Sequence, residues 1–339
     1  MAHPPLVKAA VAVVSCILWT SIAFSGPAEA GASGKAPREL AVIVRYNVPI
    51  AEVSGLAIVR PGTKASGTGN TDTISLYAIG DASYEIASLH INPLSGDASV
   101  HVSDAAPILG KRTRDDSQWE AVATDSQDTI CMMSETRSEV SCLDLDLKKS
   151  RGTFKLDVSG IKQLDRAWRD RPNSRGEGMI LMKNGHALIL KEKQPSMLIE
   201  FGPKGDSPMG YSPDTLLGYR ETFTIPPQSE PWVALKAWEF SDRLGELARD
   251  ASEITLGPDG RVYLLSQESS TLIRLEKALK PDEGKVNVDH DAYWKLPAGI
   301  EKAEGLVIDA DMHPWIGIDI KQKDKSNLFR LSPIESASD

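Results

Sequence analysis

One pattern recurs five times after residue 38, and it dictates the fold class. The five segments start Val53-Ser54-Gly55-Leu56-Ala57, Trp119-Glu120-Ala121-Val122-Ala123, Gly176-Glu177-Gly178-Met179-Ile180, Ser252-Glu253-Ile254-Thr255-Leu256 and Ala303-Glu304-Gly305-Leu306-Val307. Each runs into a turn such as Lys183-Asn184-Gly185 or Pro258-Asp259-Gly260, then a short apolar strand, a polar hairpin and a third strand. The second position of the motif falls at 54, 120, 177, 253 and 304, so the spacings are 66, 57, 76 and 51 residues. A β-propeller blade takes about 40–50 residues, so these intervals hold four strands and longer loops.

Fourth strands are legible at 98–104, 152–158, 234–240 and 292–297. After Leu331 the last repeat has no fourth strand of its own. The segment 39–45 supplies it, which closes the ring with the N-terminal strand. The expectation is an all-β chain, a β-propeller of five four-stranded blades over residues 38–335. Closure removes exposed sheet edges, an aggregation hazard. Six blades is the alternative, with a degenerate blade in 203–233. That stretch is rich in Pro and Gly and reads better as an insertion loop.

The first strand of each propeller blade lines the central channel. Motif position two therefore faces the channel mouth once per blade, as Ser54, Glu120, Glu177, Glu253 and Glu304. Carboxylates converging on one axis cannot all stay ionised without a counterion. Calcium takes 6–8 oxygen ligands in irregular geometry, so a central calcium on these five residues is expected. A single such Glu is usually structural; four of five at one repeat position point to a cation. A second set ends the second strands: Asp81, Glu135, Glu192, Gln267 and Asp319. Asp81, Glu135 and Glu192 are the candidate acid/base residues beside the metal.

Basic residues crowd the between-blade loops on the same face. They include Lys111, Arg112 and Arg114, then Arg166, Arg169, Arg171 and Arg175, then Arg243 and Arg249. Lys191 and Lys193 flank Glu192. Arg171, Arg175, Lys191 and Lys193 are the candidates for holding an anionic ligand.

The 38 basic and 47 acidic residues leave a net charge of −9, which argues against a nucleic-acid binder. Lys8, the apolar run 9–24 and Ala28-Glu29-Ala30 read as a secretory signal peptide over 1–30, followed by a linker over 31–37. The run is short for a membrane span, and a secreted or periplasmic monomer is expected. Of three cysteines, Cys131 and Cys142 remain after processing. A two-residue turn at Thr136-Arg137 places them opposite each other, as a disulfide or as two packed thiols. The histidines share no repeat position. The motifs of serine hydrolases, P-loops and zinc proteases are absent. The Trp residues read as blade packing.

The blade-start series resembles that of the phytase-like esterase and SdiA-regulated propellers, over residues 40–332. The ring of one Ser and several Glu also resembles calcium-activated apyrases. That likeness implies channel calcium on Ser54, Glu120, Glu177, Glu253 and Glu304. Apyrases carry an Asp-Asp-Arg hairpin in the first blade. Here it is Gly80-Asp81-Ala82-Ser83, so Asp81 matches and the Arg is missing, which weakens the case for a nucleotide substrate. The expectation is a calcium-dependent hydrolase of a phosphate ester or related anionic ester. The alternative is a non-catalytic propeller that binds a glycan, peptide or envelope partner.

Overall fold

The structure is a computed structural model that describes residues 38–60, 73–112, 115–218, 220–288 and 292–335. The expected signal peptide, the linker and Arg114 lie outside the described residues. Two short strands come first, β1 (Arg38–Glu39) and β2 (Val42–Tyr46). The first blade is β3 (Val53–Val59), β4 (Ile74–Gly80), β5 (Glu85–Ile91) and β6 (Ala98–Asp104). The second is β7 (Trp119–Thr124), β8 (Thr129–Ser134), β9 (Glu139–Asp144) and β10 (Ser150–Asp157). Helix α1 (Lys162–Asp170) leads into the third, β11 (Gly178–Leu181), β12 (Ala187–Lys191), β13 (Met197–Gly202) and β14 (Trp232–Phe240). Helix α2 (Asp242–Leu247) precedes β15 (Ala251–Leu256), β16 (Val262–Ser266) and β17 (Thr271–Leu275). Strand β18 (Lys285–Val286) crosses over to β14, and β19 (Tyr293–Lys295) completes the fourth blade. The fifth is β20 (Ala303–Ile308), β21 (Pro314–Ile318), β22 (Leu328–Leu331) and β2.

The protein is a β-propeller, and its ring closes as the repeat predicts. Strand β2 pairs antiparallel with β22, placing Arg45 opposite Phe329 and Tyr46 opposite Leu328. The inner strands β3, β7, β11, β15 and β20 pack side by side, and β20 returns to β3. Side chains alternate between the two faces of each strand, so each blade feeds two seams. Ala121 and Ala123 pack towards the third blade, while Val122 packs towards the first. Five apolar cores result, one at each seam between neighbouring blades. Trp119, Trp168, Trp238, Trp294 and Trp315 divide among them, the blade packing expected of these residues.

Three features go beyond the sequence reading. Residues 39–45 do not all serve the closing strand, because β1 adds in parallel to β19 at the fourth blade's edge. Among its described residues the stretch 203–231 holds no strand, only isolated bridges from Tyr211 to Leu279 and from Leu216 to Met182, as an insertion loop does. Two between-blade loops are helical. In α1, Leu164 and Trp168 stand four residues apart and bury the same face. Cys131 and Cys142 face each other across β8 and β9 and are joined by a disulfide, with Cα atoms 4.0 Å apart. No helix among the described residues is long and apolar enough to cross a membrane.

Candidate functional site

Four of the five inner strands enter the ring through a distortion. The ladders shift register between Val53 and Gly55, Trp119 and Ala121, Ala251 and Glu253, and Ala303 and Gly305. Such bulges re-aim a side chain at the end of a strand. The re-aimed residues are Ser54, Glu120, Ser252 and Glu304. In the third blade Glu177 holds this place, since its N–H donates to Leu190 O just ahead of Gly178. The mouth ring is thus Ser54, Glu120, Glu177, Ser252 and Glu304.

Glu253 is not in that ring; the sequence alignment is off by one residue in the fourth blade. The two serines behave identically. Ser54 Oγ donates to Trp119 O and Ser252 Oγ to Ala303 O, in each case one residue before the next blade's ring position. A turn count reveals this register. Asp125, Met182, Gly257 and Asp309 each donate N–H to the carbonyl four residues on. Counting back five residues from each gives Glu120, Glu177, Ser252 and Glu304.

Glu253 sits one residue further along, where the other blades carry Gly55, Ala121, Gly178 and Gly305. A Cβ at Gly178 would lie 2.4 Å from Glu253 Oε1. Four small residues leave room for one long side chain at the axis. Its Oε1 accepts from Ile254 N at 2.9 Å, and Leu56 of the first blade adds a backbone hydrogen bond. Its Oε2 is buried without a partner. Burial raises the Glu253 carboxyl well above the usual range, which favours its neutral form.

The hairpin acids Asp81, Glu135, Glu192 and Asp319, with Gln267, surround the ring. Against them stand residues that sequence reasoning missed, two positions before each ring residue: Glu52, Gln118, Arg175, Asp250 and Lys302. Glu52, Gln118, Asp250 and Lys302 adopt φ of 52, 52, 53 and 54°, the left-handed region that non-glycine residues seldom occupy. Their carbonyls extend the ladder within each blade, where Glu135 N donates to Gln118 O, Gln267 N to Asp250 O and Asp319 N to Lys302 O; across the seams, Gln118 N donates to Asp81 O and Glu52 N to Ile320 O. Lack of a glycine hid these turns from the sequence.

The mouth is crowded with acid. Burial, then Asp81, Glu135 and Glu304, push Glu120 up to about 9. Burial and Asp319 push Glu304 to about 8. Burial, Glu52 and Asp319 push Asp81 to about 6. Burial also raises Glu135 and Glu177, and the charge of Glu135 raises Glu177 further. Asp81 Oδ1 and Asp319 Oδ1 are buried with no hydrogen-bond partner.

The donors in this half of the mouth are all hard carboxylate oxygens, which suits calcium. The carboxyls that act on one another there are Asp81, Glu120, Glu304 and Asp319. Of the five residues expected to ligate, Glu253 is spent on backbone at the axis and Glu177 faces Glu135. Among the described residues no three His, Cys, Asp or Glu side chains stand at metal-ligand spacing. Seating an ion therefore requires these carboxylates to turn towards one another.

The expected anion-binding residues divide. Arg175 donates to Trp168 O at 2.8 Å, Thr136 O at 3.2 Å and Ser138 Oγ at 3.1 Å, and so fastens the α1 loop. Its N–H donates to Glu135 Oε1 at 3.0 Å. Lys191 is fully buried and donates to Lys193 O and Pro195 O. Burial lowers its ammonium to about 8. Lys193 Nζ is 2.6 Å from both Glu192 Oε1 and Asp250 Oδ1. Arg171 ends α1, exposed at the rim.

No curated protein sequence matches the chain. Among solved structures, a streptogramin B lyase aligns over 85% of this chain and 96% of its own at 10% identity, with a TM-score of 0.42. A nidogen/laminin complex aligns over 85% and 87% at 10% identity, with a TM-score of 0.37. The β-propeller domain of Cps50 (Swd1) from Myceliophteria thermophila aligns over 78% and 68% at 10% identity, with a TM-score of 0.31. Likenesses this distant carry no activity across. The sequence model that does match spans residues 98–317, from β6 to β21, and by it the chain belongs to the SdiA-regulated family.

Proposed function

We propose that the protein is an exported, calcium-dependent hydrolase of a phosphate ester or related anionic ester, with its site in the propeller mouth. The orphaned oxygens of Asp81 and Asp319, beside Glu120 and Glu304, carry this reading. These four residues would hold the ion, which supplies a Lewis acid for the ester oxygen. The protein's own groups do the rest. Asp81 also positions the attacking water beside the ion. Arg171 meets the ligand's anionic end at the rim. Glu253 closes the floor of the mouth and keeps bulk water from entering along the channel. The apolar run 9–24 and the Cys131–Cys142 bond both suit an oxidising compartment outside the cytoplasm.

The test is phosphate and ester release by the chain from residue 31 onwards, across a mixed substrate panel, with calcium or with chelator. Turnover that needs calcium is the expected result. Asp81→Asn should cost about 10²-fold in turnover and leave the fold intact.

One observation favours a second reading, a binding propeller without chemistry. Arg175 and Lys191, expected to hold an anion, spend their donors on the protein's own carbonyls and hydroxyl. No turnover on any substrate, with calcium still raising the melting temperature, selects this reading.

A further inference from the structure

The five seams of the mouth are not equivalent. At each, a hairpin residue of one blade faces the left-handed or loop residue that enters the next: Asp81 with Gln118, Glu135 with Arg175, Glu192 with Asp250, Gln267 with Lys302 and Asp319 with Glu52. Like charges meet at two of these. At the seam between the fifth and first blades the lysines stay peripheral. Lys321 approaches Glu52 at 3.4 Å with its side chain 82% exposed, and Lys302 pairs with Asp319. At the seam between the third and fourth blades the arrangement is tighter. Lys193 Nζ lies 2.6 Å from Glu192 Oε1 and 2.6 Å from Asp250 Oδ1, so one ammonium holds both carboxyls together.

Two carboxyls gathered on one ammonium disfavour each other's ionisation, and the surroundings decide which of them keeps a proton. The Glu192 side chain is 13% exposed and the Asp250 side chain 20%. The other charges facing Glu192 are Lys191, Glu177 and Glu304, with Arg171 behind Lys191. The acids among them favour a neutral Glu192. Asp250 stands at φ 53°, and its carboxylate is fixed by Lys193 from the hairpin. We propose that Glu192 is the proton donor of the mouth, and that Asp250 and Lys193 are positioning residues that keep its proton in place. This rests on the hydrolase reading. In the step, water forms the new bond to the ester centre while the bond to the leaving oxygen breaks. Glu192 gives its proton to that oxygen, and water's proton leaves to solvent. Uptake of a proton by Glu192 restores the site. Lys193 compensates the pair while both carboxyls are charged. The environments agree: Asp250 is pulled down by its bonds to Glu192 and Lys193, while burial and Asp250 push Glu192 to about 7.

Carboxyl-carbon NMR on the full chain from residue 31 tests the proton directly. Glu192 should titrate near pH 7 in the parent, and about one unit or more lower in Asp250→Asn. Lys193→Arg should keep the parent value and Lys193→Met should shift it. A Glu192 that titrates in the ordinary carboxylate range, or that ignores Asp250→Asn, overturns the proposal. With calcium and p-nitrophenyl phosphate, the alkaline limb of the kcat profile should move down with the Glu192 titration in Asp250→Asn. Absence of parent turnover, with Glu192 still titrating near 7, sinks the hydrolase reading and the donor role together. A normal pH limb in Asp250→Asn, with turnover present, sinks the donor role alone.

Discussion

Glu253 shows how one residue sets both the geometry of a site and the limits of reading it. Its neighbours at the same height are Gly55, Ala121, Gly178 and Gly305, so the axis has space for a single large side chain. Apolar and small residues hid the frame shift, because Ser252-Glu253 imitates the Glu-containing motif of the other blades. The backbone hydrogen bonds of the turns, not the motif letters, fix the register. A buried neutral acid also has a pH signature. The folded carboxyl is raised well above 4.5. Its contribution is therefore fully present below the unfolded value and lost as pH rises through the folded one. Glu253→Gln should remove that loss, so the melting temperature of the variant should fall less between pH 5 and 9 than the parent's. A variant melting curve with the parent's full pH slope would show the acid to be ionised.

Among elements, the blades were legible and the loops were not. Period-two alternation and regular turns mark the strands, because each strand buries both faces against neighbouring blades. Helix α1 was missed since its apolar pair, Leu164 and Trp168, is too sparse to signal a helix among charged residues. The sequence marks 203–233 as an insertion; β14 takes its last two residues, and the rest straps the face opposite the mouth. Met209 N and Gly210 N donate to Glu200 at 2.8 and 2.9 Å, and Phe223 N donates to Asp125 at 2.8 Å. His186 latches it. Its Nδ1 is 2.7 Å from Glu200 and its Nε2 3.2 Å from Asp206. Lys236 stands opposite Glu200 on β14. Burial lowers the imidazole and the two carboxylates raise it further, leaving a net rise. The latch therefore stabilises fully below the unfolded histidine value and weakens as pH climbs through the folded one. Tryptic cleavage after the exposed Lys204 should accelerate over that rise. His186→Gln should cleave fast at every pH, and equal rates for parent and variant at pH 6 would exclude the latch.

For the whole molecule, ring closure couples the ends of the chain to the mouth. Removing residues 38–46 deletes β1 and β2 and strips the outer strand from the fifth blade, leaving β22 as a bare edge. That truncation should abolish cooperative melting and promote aggregation, measured by scattering and circular dichroism. The closed ring is what forces the acids together, and the cost of that crowding depends on pH. Asp81, Glu192, Glu304 and Glu120 are raised to about 6, 7, 8 and 9, all above the usual carboxylate range. Raised carboxyls stabilise the fold below their unfolded values and lose that contribution as pH rises through the folded ones. In chelator the melting temperature should therefore drop progressively from pH 5 to 9. A cation on Asp81, Glu120, Glu304 and Asp319 must displace protons, so calcium affinity should rise over the same interval. At a hundredfold excess over its Kd, calcium adds about 2.7 kcal/mol and should flatten the alkaline decline. Replacing both Asp81 and Asp319 with Asn should flatten the chelator curve and abolish the calcium response. If calcium leaves the parent curve unmoved at pH 8, the mouth holds its acids by protonation alone, and the binding reading needs a cationic partner instead of a metal.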